Sequence, residues 1–403
     1  MNLFLCFTGL TFCLYATVFL WVGFRNYRKA HAQEIKRLPK SSTISAEERQ
    51  ELKFSILIPF RNEAENLSDL FQSIDKLNFN KEQFEVIFID DHSQDNGVEI
   101  LESLRQNTRF SSQIIQLNKP EIYGKKQALT SGIEQANHPM IITLDADSIV
   151  PSDWLSSIEQ SIGKTAADFL AGPVLLSAHK GLLYQIQASE FMALQSLTQA
   201  SYGVRPLLSN GTNLTYSKRV FNAVSGYSGN LQISSGDDMF LMRKIWTQKK
   251  SIMAFNADLN GAVYTKANSN WRDYADQQIR WMSKTSALKD NALWLVAMIV
   301  FLTNFLSVAW FGYSLYQVLT QSPHTVLTFI ITLTLFNAKF IVDHLSLWMS
   351  FKKIKDNQSW SLSTISWPVQ IMASLLYPFW TSGLLVVSFF YRPNWKGRKI
   401  RAK

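Results

Sequence analysis

The chain has 403 residues, of which 47% are hydrophobic and 18% charged, with a net charge of +9. That is long enough for one large domain plus a membrane part. The basic residues gather at Arg25–Lys29, Lys352–Lys355 and Lys396–Lys403, each beside an apolar run, so the excess charge matches a membrane flank and excludes nucleic acid as partner. Cys6 and Cys13 both fall inside the first apolar run and the six histidines are scattered, which excludes a disulfide framework and a Cys/His zinc site.

In chain order, residues 3–24 are apolar and uncharged, long enough to span ~30 Å of hydrocarbon. Met1-Asn2 offers no basic n-region, and Arg25, Arg28 and Lys29 follow the run. Residues 1–25 therefore read as an uncleaved anchor with its N-terminus outside and the following chain in the cytoplasm. Residues 26–52 form a polar linker. Phe54–Pro59, Glu85–Ile89, Ile114–Leu117 and Met140–Leu144 are short β-rich runs, and helical spacing falls at 63–76, 97–107, 125–136 and 152–162. The alternation predicts βαβ units and a mostly parallel sheet, with ligands beyond the carboxyl ends of the strands. A longer amphipathic helix is expected over 182–201, and short strands with a helix from about Asp238 to Lys249 over 213–262.

Four motifs lie along this frame: Ile89-Asp90-Asp91-His92-Ser93-Gln94-Asp95, Leu144-Asp145-Ala146-Asp147-Ser148, Ser235-Gly236-Asp237-Asp238 and Gln277-Gln278-Ile279-Arg280-Trp281. Asp145 and Asp147, two apart at a strand end, point to one side and can together hold Mg²⁺ or Mn²⁺. Gly124-Lys125-Lys126 opens a helix, a suitable place for an anion, and Gln277 and Arg280 sit one turn apart on a helix. Taken singly, an Asp-x-Asp pair is more often a solvated turn and paired aspartates more often a helix start. Their order and spacing outweigh those readings.

The set resembles the family-2 glycosyltransferases, inverting nucleotide-sugar enzymes of GT-A fold, and Gln-x-x-Arg-Trp resembles the membrane branch with cellulose, hyaluronan and chitin synthases and ceramide glucosyltransferases. The resemblance covers residues 53–283. It implies that Asp147 ligates a divalent cation, that Asp145 touches the nucleotide or a metal-bound water, and that Asp90 and Asp91 recognise uracil and ribose. It also implies Asp238 as catalytic base, with Asp237 beside it, and an acceptor-side loop at Asn210-Gly211-Thr212-Asn213. Lys125, Gln277 and Arg280 are expected on the donor's anionic part, with Trp281 at the sugar. The family usually has glycine where His92 stands, which puts the backbone path of that loop in question.

Apolar runs at about 292–319, 325–350 and 363–390 form a membrane domain over 284–391, followed by a basic tail over 392–403. Three crossings after a cytoplasmic domain would put the tail outside, against the positive-inside tendency. Either the last run breaks near Pro378 or the segment with Lys339, Asp343 and His344 does not span. The expected activity is transfer of a hexose or N-acetylhexosamine from a UDP-linked donor to a membrane lipid. A processive polysaccharide synthase is the alternative, and a non-catalytic nucleotide-sugar-binding protein is the rival from another class.

Overall fold

The protein's structure, a computed structural model, describes residues 2–31, 52–117, 123–177, 179, 181–229, 236–248, 251–288, 290–351, 367–391, 393–395 and 398–399. Most of the expected linker, the Lys352–Lys355 cluster, Ser235 and most of the basic tail lie outside them. The chain forms two compact units. One takes the described residues of Ile35–Ala178, Ser201–Lys266 and Asn394–Lys403, the other those of Met1–Glu34, His179–Ala200 and Ala267–Pro393.

The first unit is built on a seven-stranded sheet in the order β3-β2-β1-β4-β8-β6-β9. These strands are β1 (Phe54–Phe60), β2 (Phe84–Asp90), β3 (Ser111–Gln116), β4 (Met140–Thr143), β6 (Phe169–Ala171), β8 (Leu214–Ser217) and β9 (Met253–Phe255). Every residue of β2 is buried and β1 is buried except at Pro59, as befits central strands covered on both faces, whereas edge strand β3 is half-exposed. β1 pairs in parallel with β2 and β4, so Asp90 at the end of β2 and the residues after Thr143 of β4 reach the same edge. β8 runs antiparallel to both β4 and β6 and makes the sheet mixed. A second, three-stranded sheet joins β5 (Ser148–Ile149), β10 (Val263–Thr265) and β7 (Val174–Leu176).

Helices pack on the large sheet through apolar stripes. α2 (Ala64–Asp75) buries Leu67, Leu70, Phe71 and Ile74, spaced i, i+3, i+4, i+7 on one face. Each such side chain contributes about 1.5–3 kcal/mol on leaving water, so Leu70→Asp would undo this face. α3 (Gly97–Arg105), α4 (Lys125–Gln135), α5 (Trp154–Thr165), α7 (Lys218–Ala223) and α8 (Asp237–Gln248) complete the unit. The core runs from Phe54 through Phe84, Phe88 and Trp154 to Val263.

The second unit holds α1 (Asn2–His31), α6 (Leu182–Ser201), α9 (Trp271–Ala287), α10 (Asn291–Leu319), α11 (Thr325–Phe351) and α12 (Trp367–Phe390). Four helices are long and apolar enough to cross a membrane: Leu3–Arg28, Asn291–Leu319, Thr325–Phe351 and Pro368–Phe390. α1 and α11 touch closely at Gly23, where an added Cβ would lie 2.8 Å from Ser346 Cα and 2.7 Å from Met349 Cε. The Asn26 amide donates to the Ser196 carbonyl at 2.9 Å and to Ser350 Oγ at 3.1 Å, tying α6 to both helices.

The expected break near Pro378 is absent. α12 continues unbroken through Pro378, as apolar helices tolerate where neighbours restore the lost backbone bond. α11 continues through Lys339 and Asp343, which neutralise each other at 2.6 Å one turn apart, while the Tyr15 hydroxyl donates to Asp343 at 2.5 Å.

Candidate active site

β2 delivers two buried carboxylates to the edge of the large sheet. Asp90 Oδ1 accepts from the Ser93 amide at 3.0 Å, and Asp91 Oδ2 accepts from the Gly124 amide at 2.9 Å, so Asp91 anchors the start of α4. Burial raises the Asp91 pKa, opposed by the Gly124 amide, His92 and Arg61. His92 adopts φ 60°, the left-handed conformation in which glycine is at ease. Ser93 and Asp95 brace the loop before α2: Ser93 Oγ accepts from the Asn62 amide at 3.0 Å and Asp95 Oδ2 from the Ala64 amide at 2.8 Å.

The β4–β5 connection presents Asp145 and Asp147, half-buried and alternating with buried Ala146 and Ser148, so both carboxylates lie on one side of the chain. The Asp145 amide donates to Thr212 Oγ1 at 3.0 Å, and Asp147 Oδ2 accepts from the Thr265 hydroxyl at 3.2 Å. Lys125 Nζ lies 2.5 Å from Asp145 Oδ1 and 3.4 Å from Asp237 Oδ2. Burial alone would lower the Lys125 pKa; Asp145 and Asp237 outweigh it and hold the ammonium well above its ordinary value. Gly236, at φ 81°, turns the chain into α8, where Asp237 and Asp238 are both buried and Asp238 Oδ1 accepts from the Met239 amide at 2.8 Å.

The loop Asn210–Asn213 closes this cluster. A Cβ on Gly211 would lie 2.9 Å from Asp237 Oδ2 and 3.2 Å from Lys125 Nζ, so only glycine leaves room for the pair. Thr143 Oγ1 donates to the Gly211 carbonyl at 2.6 Å, Asn210 Oδ1 accepts from the Thr212 amide at 3.2 Å, and Asn213 accepts from Trp154 Nε1 at 3.2 Å. Asp145, Lys125, Gly211, Asp237 and Asp238 thus come together, with Asp147 on the same connection as Asp145. Among the described residues, no group of three or more His, Cys, Asp or Glu side chains could hold a metal.

Gln277, Arg280 and Trp281 belong to the other unit, on α9. Gln277 Oε1 accepts from Asn268 Nδ2 at 3.0 Å, and Trp281 packs on Phe191 of α6 with ring centroids 5.7 Å apart. Arg280 is half-buried; desolvation lowers its pKa, opposed by Asp276. Trp271 and Tyr274 pack around Trp380 of α12.

Sequence reasoning missed the residues that hold the candidates: Thr212 and Thr265 beneath the Asp145–Asp147 connection, and Asn268, Gln187 and Glu190 around α9. Thr212 lay inside a motif already singled out. Glu190, the one charged residue of an otherwise uncharged helix and three residues after Gln187, was the other available signal.

A mixed α/β sheet with carboxylates and a lysine at one edge defines the class, a GT-A glycosyltransferase. The chain belongs to glycosyl transferase family group 2, whose family model matches residues 140–391; the glycosyl transferase family 2 model matches residues 55–224. Curated relatives include the poly-beta-1,6-N-acetyl-D-glucosamine synthases of Staphylococcus epidermidis, 32% identical over 121 residues, and of Staphylococcus aureus, 34% identical over 116 residues. Those matches cover 30% and 29% of this chain and only 28% and 26% of the relatives' lengths. Among solved structures, a mannosyltransferase from Pyrobaculum calidifontis in complex with GDP-Man and Mn²⁺ matches with a TM-score of 0.50 over 93% of this chain and 99% of that chain, at 12% identity. At that identity the likeness shows the fold alone.

Proposed function

We propose that this glycosyltransferase transfers an N-acetylhexosamine from a UDP-linked donor, with inversion at C1, to a growing glycan at the membrane. The observation that carries the reading is the cluster of Asp145, Lys125, Asp237 and Asp238 on one sheet edge, closed by Gly211. The activity of the curated relatives, poly-beta-1,6-N-acetyl-D-glucosamine synthases, supports the N-acetylglucosaminyl donor and the polymeric product. Asp90 and Asp91 suit the nucleoside. A divalent cation, Mg²⁺ or Mn²⁺, would be held by Asp147 and Asp145, where it would supply charge neutralisation on the diphosphate. Two carboxylates, with no third His, Cys, Asp or Glu beside them among the described residues, fit an ion that takes its other ligands from phosphate and water.

In this reading Asp238 takes the proton of the acceptor hydroxyl as its oxygen bonds to C1 from the face opposite the leaving group. The C1–oxygen bond to the diphosphate breaks, and nucleoside diphosphate departs with that electron pair. Lys125 and Arg280 offset its charge. Gln277 orients the donor and Trp281 stacks on the acceptor sugar, with Asn210 and Gly211 on the acceptor side. We place residues 53–283 in the cytoplasm, on the strength of the charges at Arg25–Lys29.

A lipid acceptor is the second reading, favoured by the four apolar helices, which share a unit with α9. Membranes containing the protein, supplied with labelled UDP-N-acetylglucosamine and Mn²⁺, separate the two. Label in long alkali-stable polymer supports the synthase. Label in the organic phase on one or two sugars supports the lipid acceptor and overturns the polymer. The Asp238→Asn protein should give neither product.

A further inference from the structure

α6 carries Gln187, Glu190 and Phe191 at i, i+3 and i+4, one face of the helix. All three meet α9 or the residues leading into it. Glu190 Oε2 accepts from the Tyr274 hydroxyl and from Gln278 Nε2, the latter at 2.6 Å, and Oε1 accepts from the Tyr377 hydroxyl of α12 at 3.2 Å. Gln187 Oε1 accepts from both nitrogens of Asn268, at 2.9 and 3.0 Å, and Asn268 in turn donates to Gln277. Phe191 packs on Trp281, and the Tyr274 ring stacks on Trp380 at 5.4 Å and 7°.

A half-buried carboxylate served by neutral donors is a costly choice for a helix that only needs to pack. Burial pushes the Glu190 pKa up to about 7, and the three donors pull it down. Short bonds to an acidic acceptor return directionality, since they fix the rotation of the helix carrying the donors. Tyr274 and Gln278 flank Gln277 and lie within two turns of Arg280 and Trp281. Lys339 Nζ sits 5.3 Å over the Tyr377 ring, so the same tyrosine links this acid to the ion pair of α11.

We propose that Glu190 is a positioning residue: through Tyr274, Gln278 and Tyr377 it sets the rotation of α9 and hence the aim of Gln277, Arg280 and Trp281. The role rests on the reading of α9 as part of the transfer site. No step passes through Glu190 itself.

The test uses the full chain in lipid nanodiscs, with release of nucleoside diphosphate measured from UDP-N-acetylglucosamine, UDP-glucose and GDP-mannose. Glu190→Ala should lower kcat about 10–100-fold, the usual worth of a misaimed group, with donor KM within about threefold of wild type. Glu190→Gln, which keeps an acceptor for Tyr274 and Gln278, should restore turnover to within about threefold. Tyr274→Phe added to Glu190→Ala should cost less than about twofold more, because both remove one interaction. Wild-type kcat in Glu190→Ala, no rescue by glutamine, or full additivity with Tyr274→Phe each overturns the role. If Glu190→Ala is not recovered folded, the double variant Tyr274→Phe/Gln278→Leu decides: reduced kcat supports the role and wild-type kcat overturns it. Arg280→Ala in parallel separates the two ideas. Full activity there sinks the reading of α9, whereas an inactive Arg280→Ala beside a fully active Glu190→Ala sinks this inference alone.

Discussion

Asp237 and Asp238 are adjacent and equally buried, yet they face different partners. Asp237 lies 3.4 Å from Lys125, while Asp238 accepts from the amide that follows it. If Asp238 is the base, Asp238→Asn should lower turnover by ~10²–10⁴-fold with UDP affinity nearly unchanged, and Asp237→Asn should be milder. Turnover and UDP affinity measured for both variants decide, and an inactive Asp237→Asn would move the base by one residue. Glu190 supplies a pH prediction. Its folded pKa, about 7, lies above the ordinary 4.5, so the folded state binds the extra proton between these values. Stability from this group is complete below about pH 4.5 and lost as pH rises through 7. Melting temperature should therefore fall over that window in the wild type and less steeply in Glu190→Gln; parallel slopes would contradict it.

At the scale of elements, α1 and α11 depend on the missing side chain of Gly23. Gly23→Leu would push a branched side chain into the Ser346 backbone, a clash worth about 1–3 kcal/mol, and should lower the melting temperature in detergent. An unchanged melting temperature would mean the helices can part there freely. The strands β1, β2 and β4 were legible because each is a short apolar run ending at a turn or an acid, and α2 because its apolar residues keep the helical period. β8 was not legible as the reversed strand, since direction depends on where the chain re-enters the sheet, and Leu214–Ser217 carries no mark of that. The amphipathic pattern of 182–201 gave α6 its bounds but not its membership of the unit with the apolar helices, because an amphipathic face does not name its partner. The aspartates of the site were visible as pairs; the threonines beneath them were not, since a hydroxyl that braces a backbone looks like any other.

For the molecule as a whole, the number of crossings sets the side on which the chain leaves the membrane region. Three helices that all cross would carry the tail to the side opposite residues 53–283. The Tyr391 hydroxyl, just past α12, donates to Asp276 of α9 at 3.4 Å. The tail's lysines and arginines carry the opposite expectation, a tail on the same side as residues 53–283 with one apolar helix not crossing. Single cysteines placed at Ser269 and at Ala402, in a protein lacking Cys6 and Cys13, should both resist a membrane-impermeant maleimide in intact cells. Labelling of the tail alone would establish three crossings.

The Lys125 ammonium between Asp145 and Asp237 carries a further expectation about how the proposed site meets its ligands. In this arrangement Asp145 already has a partner from within, and an incoming cation would compete with a fixed positive charge for it. A nucleoside diphosphate offers that ammonium another anion, so each ligand should ease the entry of the other, and by reciprocity to the same degree. Free Mn²⁺ should bind weakly alone and more tightly with UDP present. Lys125→Met should invert the pattern: tighter Mn²⁺ alone, weaker UDP, and a coupling between them near zero in calorimetric titrations. Equal coupling in wild type and variant would show that the lysine is a bystander, and that the edge takes its two ligands independently of the charge it carries at rest.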